Sequence, residues 1–435
     1  MKLTVNQKKT VIVMSFVAAV LSLKGLTSPI MAYIQQTYPA LDASTIQSLV
    51  TIPCLVGGII GIFAGPFSQL IGRKNLLLIS IATGLVYVMT FFAFGLRGPF
   101  SALLAAAYVS GVEAGFGTAL VNAAIGEQFD TPEIRARWIS VAMACLAIGS
   151  MLANIVGGWI GSIDNGAHWP HVYLLGLLYI PAMALLQFVL PKEKRTLASD
   201  GRREHFQISD LKGISPLLLM ICLFHLVFYF GFQAYNTNYS FYIISEYGLG
   251  SSREAGFCGS LYGVGGIIVG FTYPIFQKIF KKAMVPAGYA LNLLALVIMA
   301  LGTRHLFCIY IAAFLVGIGI NMACNYVYAA AASLCNKKMS NYSMSIVFLF
   351  MNIGQFAAIS ALVYGGKLLG GSGDVLHKIY AGIVYLAIAV IGSGVIFVGP
   401  FFAKSLKKRE RLNAEEEKNN SRTVRISSDV RIQES

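Results

Sequence analysis

The sequence predicts an all-α polytopic membrane protein of twelve transmembrane helices, arranged as two parallel six-helix repeats. Three observations predict it. Of 435 residues, 56% are hydrophobic and 12% charged, with a mean hydropathy of +0.69, whereas a soluble globule carries about 25% charged residues. Apolar runs near the length that crosses a bilayer, about 20 residues, recur twelve times. The second half of the chain also repeats the first at an offset of 208 residues.

The expected spans are 10–33, 43–69, 75–96, 99–125, 138–161, 171–190, 214–243, 253–277, 284–303, 306–334, 342–366 and 378–403, each bounded by Pro, Gly or charge. The first follows Lys2, Lys8 and Lys9, exceeds a signal h-region and precedes no A-x-A site, so it is expected to remain in the mature chain. Residues 1–190 form the first six-helix half and 214–403 the second. The hydrophilic stretch 191–213 links them, and 404–435 is a basic, charge-mixed tail expected to be mobile.

The repeat runs in register over long distances. Val56-Gly57-Gly58-Ile59-Ile60 returns as Val264-Gly265-Gly266-Ile267-Ile268, and Pro66, Gln69, Ile71 and Lys74 match Pro274, Gln277, Ile279 and Lys282. Gly111 matches Gly319, and Gly157-Gly158 matches Gly365-Gly366. Six spans per half give both halves the same orientation, the plan of two-half secondary transporters with a solute site near the midplane.

Placing both termini in the cytoplasm puts 27 of the 33 Lys and Arg on the inner side. That bias is the positive-inside rule, which accounts for the net charge of +14 without nucleic acid. Short loops and economical length point to a bacterial inner membrane. The seven cysteines fall in or beside spans without C-x-x-C pairing and read as buried apolar residues. His168 and His171 share an outer loop without a third ligand, so no metal is expected. No phosphate loop G-x-x-x-x-G-K-[ST] occurs, and no cofactor is expected.

Two charges stand inside the spans. Lys24 interrupts the first, where a central lysine costs about 2.5 to 3.5 kcal/mol on insertion scales, and it lies too far from the nearer membrane surface to snorkel there. Glu113 is the one acid deep within a span. Under the repeat Lys24 corresponds to Phe232 and Glu113 to Asn321, so the charges belong to the first half alone. A single core acid argues against a membrane-embedded enzyme.

The second half offers aromatic and amide groups. Phe228, Phe232, Tyr235 and Tyr239 are spaced to form one helical stripe beside Gln233 and Asn236. Asn321, Asn325 and Tyr328 share a face of the tenth span, and the eleventh carries Asn352 and Gln355. Such a set suits an organic solute with an apolar body and polar groups, although in membranes these side chains also serve simply to join helices. His225 reads equally as a proton-linked group or a hydrogen-bonded structural one.

The loop Gly65-Pro-Phe-Ser-Gln69-Leu-Ile-Gly72-Arg73-Lys74, together with six plus six spans and a basic central linker, resembles the major facilitator superfamily and its G-x-x-x-D-x-x-G-R-[RK] signature. Three positions depart from the family pattern: Gln69 stands for the acid, Ala107 for the early arginine of span four, and Ala153-Asn154 for the Gly-Pro of the antiporter motif. The resemblance implies that spans one and four line a central cavity, which would bring Lys24 and Glu113 close enough to couple. It further implies a monomeric secondary transporter in the lipid bilayer, moving a small organic solute by alternating access with protons as partner. An organic anion is the slightly favoured cargo; a drug-like solute exporter, a lipid flippase and a transport-dead receptor are the alternatives.

Overall fold

A computed structural model of the protein describes residues 4–129, 131–189, 215–302, 304–334 and 340–407. The linker 191–213 and the tail beyond 407 lie outside the described residues. Every regular element described is helical. Eleven stretches are long and apolar enough to cross a membrane, and one of them, Ser252–Leu301, spans 50 residues and contains two helices, Ser252–Phe280 and Met284–Leu301. The helices therefore supply twelve crossings.

The first six crossings are Val5–Thr37, Ala43–Gly61, Arg73–Phe94, Phe100–Gly126, Pro132–Gly161, and Trp169–Leu178 continued by Tyr179–Val189. The last six are Pro216–Glu246, Ser252–Phe280, Met284–Leu301, Leu306–Ser333, Ser340–Leu368 and Val375–Val398. They are called spans one to twelve below. Lys8, Lys9, Arg73, Lys74, Lys281 and Lys282 mark one end of the bundle, here the basic face; the other end is the opposite face.

Span one departs from a plain α-helix. After Val5–Leu21 it tightens into a 3-10 helix, Ser22–Ile30, before returning to α over Met31–Thr37. Pro29 lies inside the tightened stretch; it has no N–H to donate and its ring crowds the carbonyl four residues back, so the α pattern cannot run through it. Caps fix other ends: Thr4 and Gln7 bond reciprocally at span one, and Ser251 and Glu254 at span eight. Gly72, with φ of 87°, turns the chain into span three in a conformation that favours glycine.

Hydrogen bonds joining the first six spans to the last six run from the midplane to the opposite face. Gln47 Nε2 donates to Thr237 O at 3.0 Å and Asn238 Oδ1 at 2.8 Å. Ser252 Oγ donates to Gly158 O at 2.7 Å, and Ser260 Oγ to Met151 O at 3.1 Å. Ala32 N donates to Ser240 Oγ at 3.4 Å, two positions separated by the 208-residue offset. Glycines make this closeness possible: a Cβ at Gly58 would lie 2.6 Å from Asn352 Cβ, and one at Gly256 would collide with the Asn154 carbonyl and come within 2.9 Å of Gly158 Cα.

At the basic face Arg73 pairs with Glu127, Lys74 Nζ donates to Gln187 O at 2.7 Å, and Gln7 Nε2 to Gln128 O at 2.8 Å. These bonds stay within the first six spans.

Candidate functional site

The 3-10 stretch of span one organises the site. With three residues per turn, positions i and i+3 eclipse, so Leu21, Lys24 and Thr27 line one edge. Leu21 meets the backbone of span four at Gly117, where a Cβ would lie 3.0 Å from its methyls. Thr27 is buried and its hydroxyl bonds the hydroxyls of Tyr87 at 2.6 Å and Tyr173 at 2.8 Å. Between them Lys24 is exposed while Leu23 and Leu26 are buried. Its charge acts on Glu113 and on Cys54, and Cys54 Sγ in turn reaches Gln355 Oε1 at 3.5 Å across the seam. Lys24 therefore opens onto the space between the two groups of spans.

Glu113 sits behind it. Its side chain is buried at 2% exposure. Tyr179 OH of span six donates to Oε1 at 2.7 Å, and Oε2 is buried without a hydrogen-bond partner. Opposite stands Gly84 of span three, where a Cβ would lie 2.6 Å from Oε2 and 2.7 Å from the Tyr179 ring. No direct ion pair joins Lys24 to Glu113 among the described residues. Sequence reasoning placed both charges on the cavity wall; the structure puts Glu113 inside the first bundle, because Gly84 leaves a recess and Tyr179 fills the bond.

The second-half residues divide. Phe228 and His225 belong to an interhelical aromatic core rather than the cavity: Phe228 stacks on Tyr289 at 4.1 Å, and the fully buried His225 shares a 2.6 Å hydrogen bond between Nδ1 and Tyr289 OH. The expected continuous stripe is also interrupted, since the α-helix ends at Asn236 and a new short helix starts at Tyr239. The cause is local: Thr237 Oγ1 donates to Gln233 O at 2.8 Å and Asn238 Nδ2 to Ala234 O at 3.1 Å, side-chain bonds that compete with helix continuation. Two stacked pairs remain, Phe228 with Phe232 at 6.3 Å and Tyr235 with Tyr239 at 5.4 Å.

Among the amides, Asn236 Nδ2 donates to Gln233 Oε1 at 2.8 Å, leaving Gln233 Nε2 buried without a partner, as is Tyr235 OH. Asn321 and Asn352 give their N–H groups to Gly317 O at 2.9 Å and Phe348 O at 2.7 Å on their own helices, and pack on Gly266 and Gly58. Tyr328 OH reaches Met351 Sδ at 3.3 Å, and Asn325 is exposed. In the loop 65–74, Gly65 has open space around it, Gly72 makes the turn, and Arg73 and Lys74 anchor spans four and six; the Gln69 side chain lies outside the described residues. Thr27, Gly84, Tyr87, Tyr173 and Tyr179 escaped sequence reasoning. The only hint was that Gly84 has Asn292 as its repeat partner, a mismatch as isolated as that of Glu113.

Two helical groups that meet along a seam, with an exposed lysine at mid-span, have the architecture of two-half membrane transporters. A model of the Major Facilitator Superfamily matches residues 11–359. The chain belongs to that superfamily.

Relatives are distant. The chain is 26% identical over 255 residues to Multidrug resistance protein 2 of Bacillus subtilis (strain 168), covering 57% of this chain and 62% of the relative. It is 31% identical over 154 residues to the putative metabolite transport protein YaaU of Escherichia coli (strain K12), covering 34% of this chain and 33% of that one. The chain thus spans less than two thirds of these curated relatives. Among solved structures, the POT family transporter PepTSo gives a TM-score of 0.71 at 12% identity, with 94% of this chain and 99% of that one covered. A bacterial homologue of the human lysosomal transporter Spinster, inward-facing and unoccupied, gives 0.66 at 13% identity over 94% and 99%. At these identities the likeness is one of fold.

Proposed function

We propose that the chain moves a small organic anion across the cytoplasmic membrane by alternating access, coupled to protons through Glu113. The observation that carries this reading is a buried Glu113 with an unpartnered Oε2 in the same helical half as an exposed mid-span Lys24. An anion entering the space between residues 1–190 and 214–403 finds in Lys24 the single basic group at that depth among the described residues. Neutralising Lys24 removes its influence on Glu113, whose free Oε2 then holds a proton. Solute and proton are thereby taken up together, and the loaded protein re-equilibrates between its two states. The basic face is the cytoplasmic one by the positive-inside rule, with both termini there, and the protein acts as a monomer.

Export of a drug-like amphipathic solute is the second reading, favoured by the similarity to Multidrug resistance protein 2. Uptake into proteoliposomes under an imposed pH gradient, with pooled organic anions and pooled organic cations, separates the two. The anion reading predicts gradient-driven uptake of the anion pool, lost in Glu113→Gln. Transport confined to the cation pool contradicts it, as does gradient-driven flux that survives Glu113→Gln.

A further inference from the structure

The two halves carry their basic charge differently. In the first half it has protein partners: Arg73 pairs with Glu127, and Lys74 Nζ donates to Gln187 O at 2.7 Å. The 208-residue offset carries Arg73 and Lys74 onto Lys281 and Lys282, but Glu127 onto Cys335. The cations repeat and the acid does not. Among the described residues the last six spans hold three acids, Glu246, Glu254 and Asp374, and all three lie at the opposite face. Lys278, Lys281 and Lys282 are exposed at the basic face, and among the described residues no ion pair or hydrogen bond engages their ammonium groups.

These lysines stand at the end of an apolar stripe. Phe271, Ile275 and Ile279 follow one another at four-residue steps on span eight and are 78%, 60% and 66% exposed, so they share one outward face. Lys278 comes seven residues after Phe271, two helical turns along the same row. The inward side of this segment is already committed, since Phe276 and Phe280 stack at 6.2 Å and pack with the buried Val269, Met284 and Met322. Lys281 then takes φ of 47°, a conformation that favours glycine, and opens the turn Lys281–Ala283, in which no residue is buried. That turn packs against Gly394–Val398 at the end of span twelve, the segment that the exposed Lys404 and Lys407 follow.

An apolar stripe running into unpaired cations fits a molecule with an acyl chain and an anionic head. A free anion would use the lysines alone, and an uncharged lipid the stripe alone. We propose that the end of span eight and the turn after it bind an anionic phospholipid of the leaflet at the basic face. Its acyl chain lies along Phe271, Ile275 and Ile279, and its phosphate sits among Lys278, Lys281 and Lys282. Each lysine close to an anionic head adds to the attraction, which salt screens less beside the acyl region than in open water. In the first half Glu127 already answers the equivalent charge, so the site belongs to the second half. It is independent of which solute is carried.

Native mass spectrometry of the full chain in detergent, titrated with phosphatidylglycerol or with phosphatidylcholine of the same acyl length, reads this binding directly. Wild type should bind phosphatidylglycerol at least about tenfold more tightly. Lys278→Gln, Lys281→Gln and Lys282→Gln together should remove at least about tenfold of that affinity and leave phosphatidylcholine binding unchanged. Three charges removed elsewhere on the basic face, by Lys8→Gln, Lys9→Gln and Arg137→Gln, should leave both affinities near wild type. Phe271→Ala with Ile275→Ala should weaken long-chain phosphatidylglycerol at least about threefold and a dihexanoyl analogue less. Equal affinity for the two lipids in wild type overturns the proposal, and that comparison decides it even where a substituted chain fails to fold. Equal losses in the two charge triples overturn it as well, as does unchanged long-chain binding in the Phe271 and Ile275 variant. Full displacement of phosphatidylglycerol by an equal concentration of glycerol phosphate overturns it by assigning the lysines to a free phosphate.

Discussion

Glu113 owes its position to the absence of a side chain opposite it. A methyl group at Gly84 would occupy the space of both the Glu113 carboxyl and the Tyr179 ring, and overpacking of that kind costs about 1–3 kcal/mol. Gly84→Ala is therefore expected to lower the thermal unfolding midpoint and to abolish gradient-driven flux. Tyr179→Phe removes the one bond to Oε1 and leaves both carboxyl oxygens unpartnered, a loss of about 1–3 kcal/mol. The expected signature is a displaced pH profile of transport with the solute KM nearly unchanged; an identical profile would show that Tyr179 only fills space. Lys24→Met should do the reverse, raising KM for an anion roughly 10- to 100-fold, as fits loss of a charged hydrogen bond of about 1.5–3 kcal/mol. Lys24 and Glu113 could be picked out from the sequence because charge inside an apolar run is costly. Gly84, Thr27 and Tyr179 could not, since small and aromatic residues are ordinary there and only the fold brings them to the carboxyl.

Two helices show how local chemistry sets function at the level of the element. Span one is 3-10 rather than α between Ser22 and Ile30, and the tighter turn aligns Lys24 under Thr27. Pro29→Ala restores an N–H and permits an α-helix, which turns the three-residue step from 360° to about 300°. The expected outcome is unchanged or higher thermal stability with reduced uptake; full activity in a Pro29→Ala protein would show that the tightened turn is incidental. Span two begins at Asp42, whose carboxyl accepts hydrogen bonds from the Thr45 hydroxyl and from Thr45 N. The hydroxyl contact foremost holds the Asp42 carboxyl below its usual range. A depressed folded value means that this capping contribution is fully present above the ordinary aspartate value, about 3.9, and is lost as pH falls through the folded one. Asp42→Ala should cost about 1 kcal/mol of thermal stability, with the difference from wild type shrinking in strong acid. Most span limits followed from hydropathy to within a few residues, but the second, expected to reach 69, ends at Gly61 and a separate helix follows over Ala64–Ile71. The breaks at Pro29 and after Asn236 did not, because a hydropathy run stays apolar whether its backbone is α, 3-10 or interrupted.

At the scale of the molecule, the fold was written in three features of the chain: long apolar runs, one-sided basic charge and a repeat at 208 residues. The repeat has a physical echo in the contact between Ala32 and Ser240. What sequence periodicity cannot report is which side of a helix meets which neighbour, and so Phe228 and His225 belong to a core around Tyr289 while Lys378 bridges the seam. Scaffold glycines repeat between the halves; the charges of Lys24 and Glu113 do not. Under the proposed function, the anion at Lys24 and the proton at Glu113 bind together. Calorimetric titration of the solubilised protein with the transported anion, run in buffers of different ionisation enthalpy, counts that proton directly. Wild type is expected to take up close to one proton per anion bound and Glu113→Gln none, whereas binding without proton uptake in wild type, or equal uptake in both, would rule out coupled binding at these two residues.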